Sequence, residues 1–448
     1  MIDKARALQI LETGLATSAA DQTELVLMGE DFSLTRFAES TIHQNMYRSD
    51  STLFVRAVRG KKIGVSSTGD LSPDAVRQAV AAAGAIADLM PEDPDFESLP
   101  QPISSETPSD AVCFVPATAA SLPEQRAEAV KLIVGICAKQ KLQTAGAFRV
   151  TTETVAVLNS LGVRQYNAST KAELSLTAVG EQQNSGWAIG YSRDISKIDA
   201  AGLAETAADK AIRSRDPIAL ESGAYTVILE PAAVGQLLLF LAFMGFGGKT
   251  LQQQRSFMAG KIGEKITGDN IAIIEDPFDP QLAGVPFDYE GVPRRKVVLI
   301  ESGIARGVVT NSYYARLLDS ESTGHALPPN NTYGPYPKHM AIAPGDKTLE
   351  EMIASTARGV YITHFWYVNF LNPMKTQVTG TTRDGTFLIE NGKVTRAVRN
   401  MRLNQSILDA FANAEMISAR RELYPQYSVV MLVPAMKINN FTLESTEG

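Results

Sequence analysis

Ala172-Glu173-Leu174-Ser175-Leu176-Thr177-Ala178 alternates apolar and polar side chains residue by residue. Successive side chains of a strand point to opposite faces, so this stretch predicts a sheet with one buried and one wet face, as antiparallel sheets have. Just upstream, Asn159-Ser160-Leu161-Gly162 reads as a hairpin turn between strands at 155–158 and 163–166. Helices bracket this meander. One starts at Pro123, with proline in its first turn, and runs to about Lys141; the other covers 200–213 and stops before Arg215-Asp216-Pro217.

Towards the N-terminus the period changes twice. Residues 2–20 place alanine, leucine and isoleucine at helical spacing, and period-two segments follow at 24–28, 32–38, 41–48, 52–58 and 61–67. Ser72-Pro73-Asp74 is a helix start: a hydroxyl cap, a proline, and a carboxylate at the positive end of the dipole. Pro91, Pro94, Pro100 and Pro102, set among acids and serines, mark a linker or domain edge.

From Tyr225 the pattern is a strand, an uncharged helix over 231–248, and a long region of strands and loops including 296–302. Asn391-Gly392 between 386–390 and 393–396 signals a type I′ hairpin. A helix over about 405–418 and a last strand over 428–434 are expected to close the chain. The fold class is α+β. An N-terminal α/β domain with a small antiparallel sheet spans 1–100, a central α+β region spans 101–220, and a larger, mostly antiparallel C-terminal domain spans 221–448.

Composition narrows the function. At 448 residues the chain exceeds one ordinary core, and 44% hydrophobic with 20% charged residues is a globular composition. A net charge of −7 argues against a general nucleic-acid binder, which needs a basic surplus to displace counterions. Arg396, Arg399 and Arg402 are therefore read as a solvated face. The two cysteines, Cys113 and Cys137, read as small buried hydrophobes in a reducing compartment. With no secretory signal in the first residues, the cytoplasm is the expected location. Residues 231–248 reach membrane-spanning length only by including a proline, a glutamine and three glycines, so a buried helix is preferred and no membrane association is expected.

Zinc sites are usually built from His and Cys with two ligands a few residues apart on one element. The four histidines, His43, His325, His339 and His364, form no such pair, and nothing in the spacing of the last three points to a joint metal site.

Several blocks together resemble one family: Leu34-Thr-Arg-Phe-Ala38 with Ile42-His-Gln-Asn45, Asp288-Tyr-Glu-Gly291-Val-Pro293 before Leu299-Ile-Glu-Ser-Gly303, Ser322-Thr-Gly-His-Ala326, and Arg358-Gly-Val-Tyr-Ile-Thr363 leading to Phe387-Leu-Ile-Glu-Asn-Gly-Lys393. In order and spacing these resemble the TldD/PmbA family, long labelled modulators of DNA gyrase and now regarded as metallopeptidase-type proteins. TldD-like members carry H-E-x-x-x-H on the helix after a strand equivalent to Val227–Pro231, with a cysteine ligand near the C-terminal end. Two imidazoles there hold zinc and the glutamate acts as general base. Here Leu239, Phe240 and Met244 occupy those positions, and no cysteine follows Cys137.

The resemblance therefore implies a PmbA-like, TldE-type subunit with no metal ligands or catalytic residues of its own. It would pair with a TldD-like partner that holds the zinc, or with itself, and act on unfolded or short peptides. His364, Trp366 and Tyr367, in the aromatic Thr363–Tyr367 run, are candidate peptide or interface contacts; so is His325, in Ser322–Ala326. For His364 a core strand, and for His325 a loop cap, remain as alternatives. Two other functions stay open: a metallopeptidase with unconventional ligands, and a non-enzymatic homodimer that binds peptides or regulates.

Overall fold

The computed structural model describes residues 1–103, 113–182 and 184–446. Six strands form the first sheet: β1 (Gln22–Ala38), β2 (Thr41–Arg59), β3 (Lys62–Thr68), β4 (Gln143–Asn159), β5 (Arg164–Val179) and β6 (Ser185–Ser192). Their order is β3-β2-β1-β4-β5-β6, all antiparallel. The β1–β4 ladder joins residues on both sides of the proline-rich segment, so one sheet crosses the boundary expected near residue 100.

The five short strands expected before residue 68 are three, two of them long. Polar Gly29-Glu30-Asp31 and Ser49-Asp50-Ser51 are not turns; they pair with each other in mid-ladder, where polar side chains suit the exposed reach of both strands.

Four helices cover one face of this sheet. Lys4–Leu15 and Pro73–Leu89 bury Leu11, Val76 and Val80 against Leu25, Leu27 and Val55. Pro123–Ala138 and Ala200–Arg213 bury Ile133, Ala204 and Ala208 against Phe148, Leu174 and Leu176. The expected caps are in place: Ser72 accepts from the Ala75 amide, and the side chain of Asn159 turns the 159–163 hairpin by accepting from the amides of Leu161 and Val163. At both edge strands the helix sits against bare backbone. A Cβ at Gly64 would fall 2.1 Å from the Ala83 carbonyl oxygen, and one at Gly186 2.1 Å from that of Ala207. The opposite face carries Val26, Phe54 and Val157, which pack on Phe287 of the C-terminal half.

The second sheet holds eleven strands: β7 (Gly223–Leu229), β8 (Ile273–Glu275), β9 (Val297–Glu301), β10 (Ile304–Ala305), β11 (His339–Ile342), β12 (Arg358–Asn372), β13 (Gln377–Glu390), β14 (Lys393–Ala397), β15 (Met401–Ser406), β16 (Ala414–Gln426) and β17 (Val429–Ser445). Among the strand pairs of the described residues, only β11–β17 and β12–β7 are parallel. The path β17-β15-β13-β12-β7 closes, because β7 also pairs with β17. The β13–β14 hairpin turns at Asn391 and Gly392, both at positive φ as a type I′ turn requires.

Two expectations at the C-terminal end fail. The helix expected over 405–418 is one short helix, Ile407–Ala412, between β15 and β16, and the last strand is 17 residues long rather than the seven of 428–434. Apolar residues at helical spacing here come from two consecutive elements, the short helix and β16, that both face one core. The apolar helix ends at Gly245 rather than 248, and among the described residues no helix is long and apolar enough to cross a membrane.

Candidate functional site

The helix Pro231–Gly245 follows β7 directly, with proline in its first turn where no amide donor is missed. Being apolar on every side, it suits burial all round. Leu239 and Met244 are 0% and 2% exposed within the larger core. Phe240 is half-buried, and its ring lies 4.8 Å from that of Phe370. Gln236, the one polar side chain of this helix, accepts from the Phe365 amide at 2.7 Å and so fixes β12 against it. The three positions singled out in the sequence thus present hydrocarbon and a buried thioether, groups that neither bind zinc strongly nor move protons. Among the described residues no three His, Cys, Asp or Glu side chains converge to hold a metal ion.

Past Phe365, β12 leaves the core. Residues 366–376 form an arm with β13, bearing exposed Trp366, Tyr367, Phe370, Leu371 and Met374. Tyr367, 78% exposed, sits at φ 54° within a break in the β12–β13 register. Arg383 lies 4.4 Å over the Trp366 ring. Phe370 joins an aromatic cluster at the helix: Phe243 is 6.2 Å from it, 5.4 Å from Tyr336 and 6.4 Å from Tyr427. Beyond Ile362, β12 pairs only with β13 among the described residues, so one edge of the arm is free of strand partners.

The two expected histidine contacts lie elsewhere. His364 is buried at the seam of the two sheets, with its ring 4.5 Å from Trp187 and Nε2 3.4 Å from Asp384. Burial, helped by the charges of Lys210 and Arg383, pushes its pKa down to about 3, so the ring is neutral. His325 is fully buried. Neither imidazole faces solvent in the chain by itself, whereas Trp366 and Tyr367 do.

His325 instead belongs to a cluster that the sequence did not reveal. Its Nε2 lies 3.2 Å from Oε1 of Glu275, and the carboxylate of Glu275 also accepts from the amides of Lys338 and His339. Burial pushes Glu275 upward, but the bonds from His325 and His339 outweigh it and hold the group well below the usual carboxylate range. His339 Nδ1 accepts from Arg294 at 3.0 Å, and burial takes His339 down to about 3. So two of the three C-terminal histidines converge, on a glutamate and an arginine, and His364 stands apart.

Next to this cluster, Asp288 accepts from the amides of Glu290, Val292 and Ala326. Burial, and next the neighbouring Glu290, nevertheless raise it well above the usual carboxylate range. Glu24, paired at 2.6 Å with Arg56, is raised to about 7, mainly by burial. The signal for these residues was weak. Glu275 ends an apolar strand, and Asp288 and Glu290 stood in the Asp288–Pro293 block with no indication of burial.

Comparison with known proteins gives three successive matches. Domain families described as PmbA/TldA metallopeptidase domain 1, central domain and C-terminal domain match residues 24–87, 119–215 and 222–445. A metalloprotease PmbA homolog of Haemophilus influenzae is 25% identical over 419 residues, 89% of this chain and 88% of that protein. A metalloprotease TldD homolog of the same organism is 28% identical over 262 residues, which is 56% of this chain and 54%, about half, of the relative. The crystal structure of TldE from Thermococcus kodakarensis superposes with a TM-score of 0.88 at 24% identity, covering 98% of this chain and 99% of that one, and so shares the fold.

Proposed function

We propose, for a chain that belongs to the PmbA/TldD metallopeptidase family, the role of a PmbA-like, TldE-type subunit that shapes a peptide chamber while a TldD-like partner supplies zinc and the catalytic base. The observation that carries this reading is the identity and burial of Leu239, Phe240 and Met244 on the helix after β7. The substrates would be unfolded or short peptides. The arm of β12 supports that class, because a free strand edge accepts an extended peptide through main-chain hydrogen bonds with little demand on side chains. Trp366, Tyr367 and Phe370 beside that edge are the large, stiff side chains that dominate interfaces and apolar side-chain pockets.

The test is reconstitution. The purified chain is expected to bind no stoichiometric zinc and to leave unfolded peptides intact; adding a TldD-like protein that carries H-E-x-x-x-H should give a stable complex with chelator-sensitive cleavage. Replacing Trp366 and Tyr367 together by serine should weaken complex formation or peptide affinity about tenfold or more without changing the isolated chain's fold. Metal-dependent cleavage by the chain alone would instead favour an unconventional active site, and stable self-association with indifference to the partner would favour a homodimeric binding protein.

A further inference from the structure

A cavity of about 220 Å³ lies between the helix-free face of the first sheet and the C-terminal half, walled by Glu153, Lys171 and Arg193 on one side and Tyr289, Arg294 and Lys338 on the other. Its cations outnumber the anions able to balance them. Lys171 is matched by Glu153 at 2.5 Å, and Glu30, at the rim, by Arg48 at 2.5 Å. Burial and Glu290 favour the protonated form of Asp288, burial keeps His339 neutral, and Glu275 is hydrogen-bonded to His325 and two amides rather than to either arginine.

That leaves three side chains. Arg193 and Arg294 are 8% and 5% exposed and form no ion pair among the described residues. Arg193 Nη1 donates to the Thr170 carbonyl and Arg294 Nη1 to His339, but the Nε of each is buried without a hydrogen-bond partner. Lys338 has its ammonium 4.9 Å from the centre of the Tyr289 ring. Burial and repulsion from Arg294 and Lys171 lower its pKa to about 7.

A buried guanidinium with an unmet donor is costly, and two beside a destabilised ammonium are more so. Proteins keep such groups where an anion compensates them, since guanidinium forks match planar carboxylates and tetrahedral oxyanions alike. We propose that this cavity binds a small oxyanion, a carboxylate or a phosphate-like group, gripped by Arg193, Arg294 and Lys338. The assignment stands apart from the peptidase reading: it concerns a different surface and needs no partner.

The experiment is titration of the full chain with sodium sulfate, ionic strength held constant with sodium chloride, read by calorimetry and by thermal unfolding. Sulfate keeps its charge across neutral pH, so any pH dependence belongs to the protein. Saturable binding is expected, weakening from pH 6 to pH 8 as Lys338 loses its proton. Lys338→Arg should bind with a smaller pH dependence, the remainder belonging to Asp288 in the same wall. Lys338→Met, and Arg193→Gln with Arg294→Gln, should each bind about tenfold more weakly or worse, as the loss of charge-assisted bonds implies. Parallel titrations with inorganic phosphate, acetate and a peptide with a free or amidated C-terminus separate phosphate-like ligands from carboxylates. A sulfate effect no larger than that of chloride overturns the proposal. So does wild-type affinity in Lys338→Met, the half-buried position whose variant best keeps the fold.

Discussion

Placing ligating and basic groups on the helix Pro231–Gly245 tests directly whether its side chains face a closed core. The perturbation is Leu239→His, Phe240→Glu and Met244→His, placing the three ligating and basic groups at the positions now apolar. Leu239 and Met244 are 0% and 2% exposed. Each exchange gives up about 1.5–3 kcal/mol of apolar burial. A buried imidazole without a partner costs a further ~1–3 kcal/mol. Phe240 is half-buried, so glutamate there can reach water and loses mainly the ring contact with Phe370, ~1 kcal/mol. The total, about 6–13 kcal/mol, rivals the whole stability of an ordinary domain. The expected result is a chain that unfolds or populates a loosened C-terminal half, with no zinc retained after dialysis. Circular dichroism, thermal unfolding with and without zinc, and elemental analysis read the outcome. A variant that melts within a few degrees of the parent, or holds one zinc per chain, refutes the view that these positions face a closed core.

Glu275→Gln replaces an acceptor of three donors with a group that turns an amide towards one of them; a loss of about 2–4 kcal/mol is expected, measured by urea unfolding at pH 7.5. His364 makes stability pH-dependent in a known direction. Its folded pKa is about 3, below the unfolded value, so its contribution is intact above pH 6.5 and falls away as pH drops towards 3. His364→Gln should therefore flatten the acid limb by about 2 kcal/mol at pH 5, seen as the change in the variant–parent difference between pH 8 and pH 5; an unchanged difference contradicts a neutral buried imidazole. At the β13–β14 turn, Gly392→Ala puts a Cβ 2.7 Å from the Ala354 carbonyl oxygen at φ 73°, and should cost about 1–3 kcal/mol in thermal unfolding.

Local chemistry was legible where it acts over a few residues. The Ser72 cap, the Asn159 turn, the Asn391-Gly392 hairpin and the alternation of 172–178 could be read directly because each depends on near neighbours. Strand length was not, since whether Glu30 and Asp50 end a strand or ride on its wet face is decided by the strand alongside. The stretch 405–418 misled for a related reason: Ile407, Leu408, Phe411 and Ile417 face the core from different elements. Of the candidate contacts, Trp366 and Tyr367 stand out in the sequence by their aromatic density, and both are exposed on the arm of β12. Glu275, Arg193 and Arg294 escaped notice because isolated charges carry no sign of burial, and only the docking of the two halves brings them together.

β17 pairs with β7, β11, β15 and β16, four strands drawn from more than two hundred residues of preceding chain. It comes last of them all, so a nascent polypeptide leaving the ribosome has every flank of this sheet before it has the middle. The first sheet can assemble while the second waits with greasy strands unmatched, and the cell's chaperones would meet the molecule in that half-finished condition.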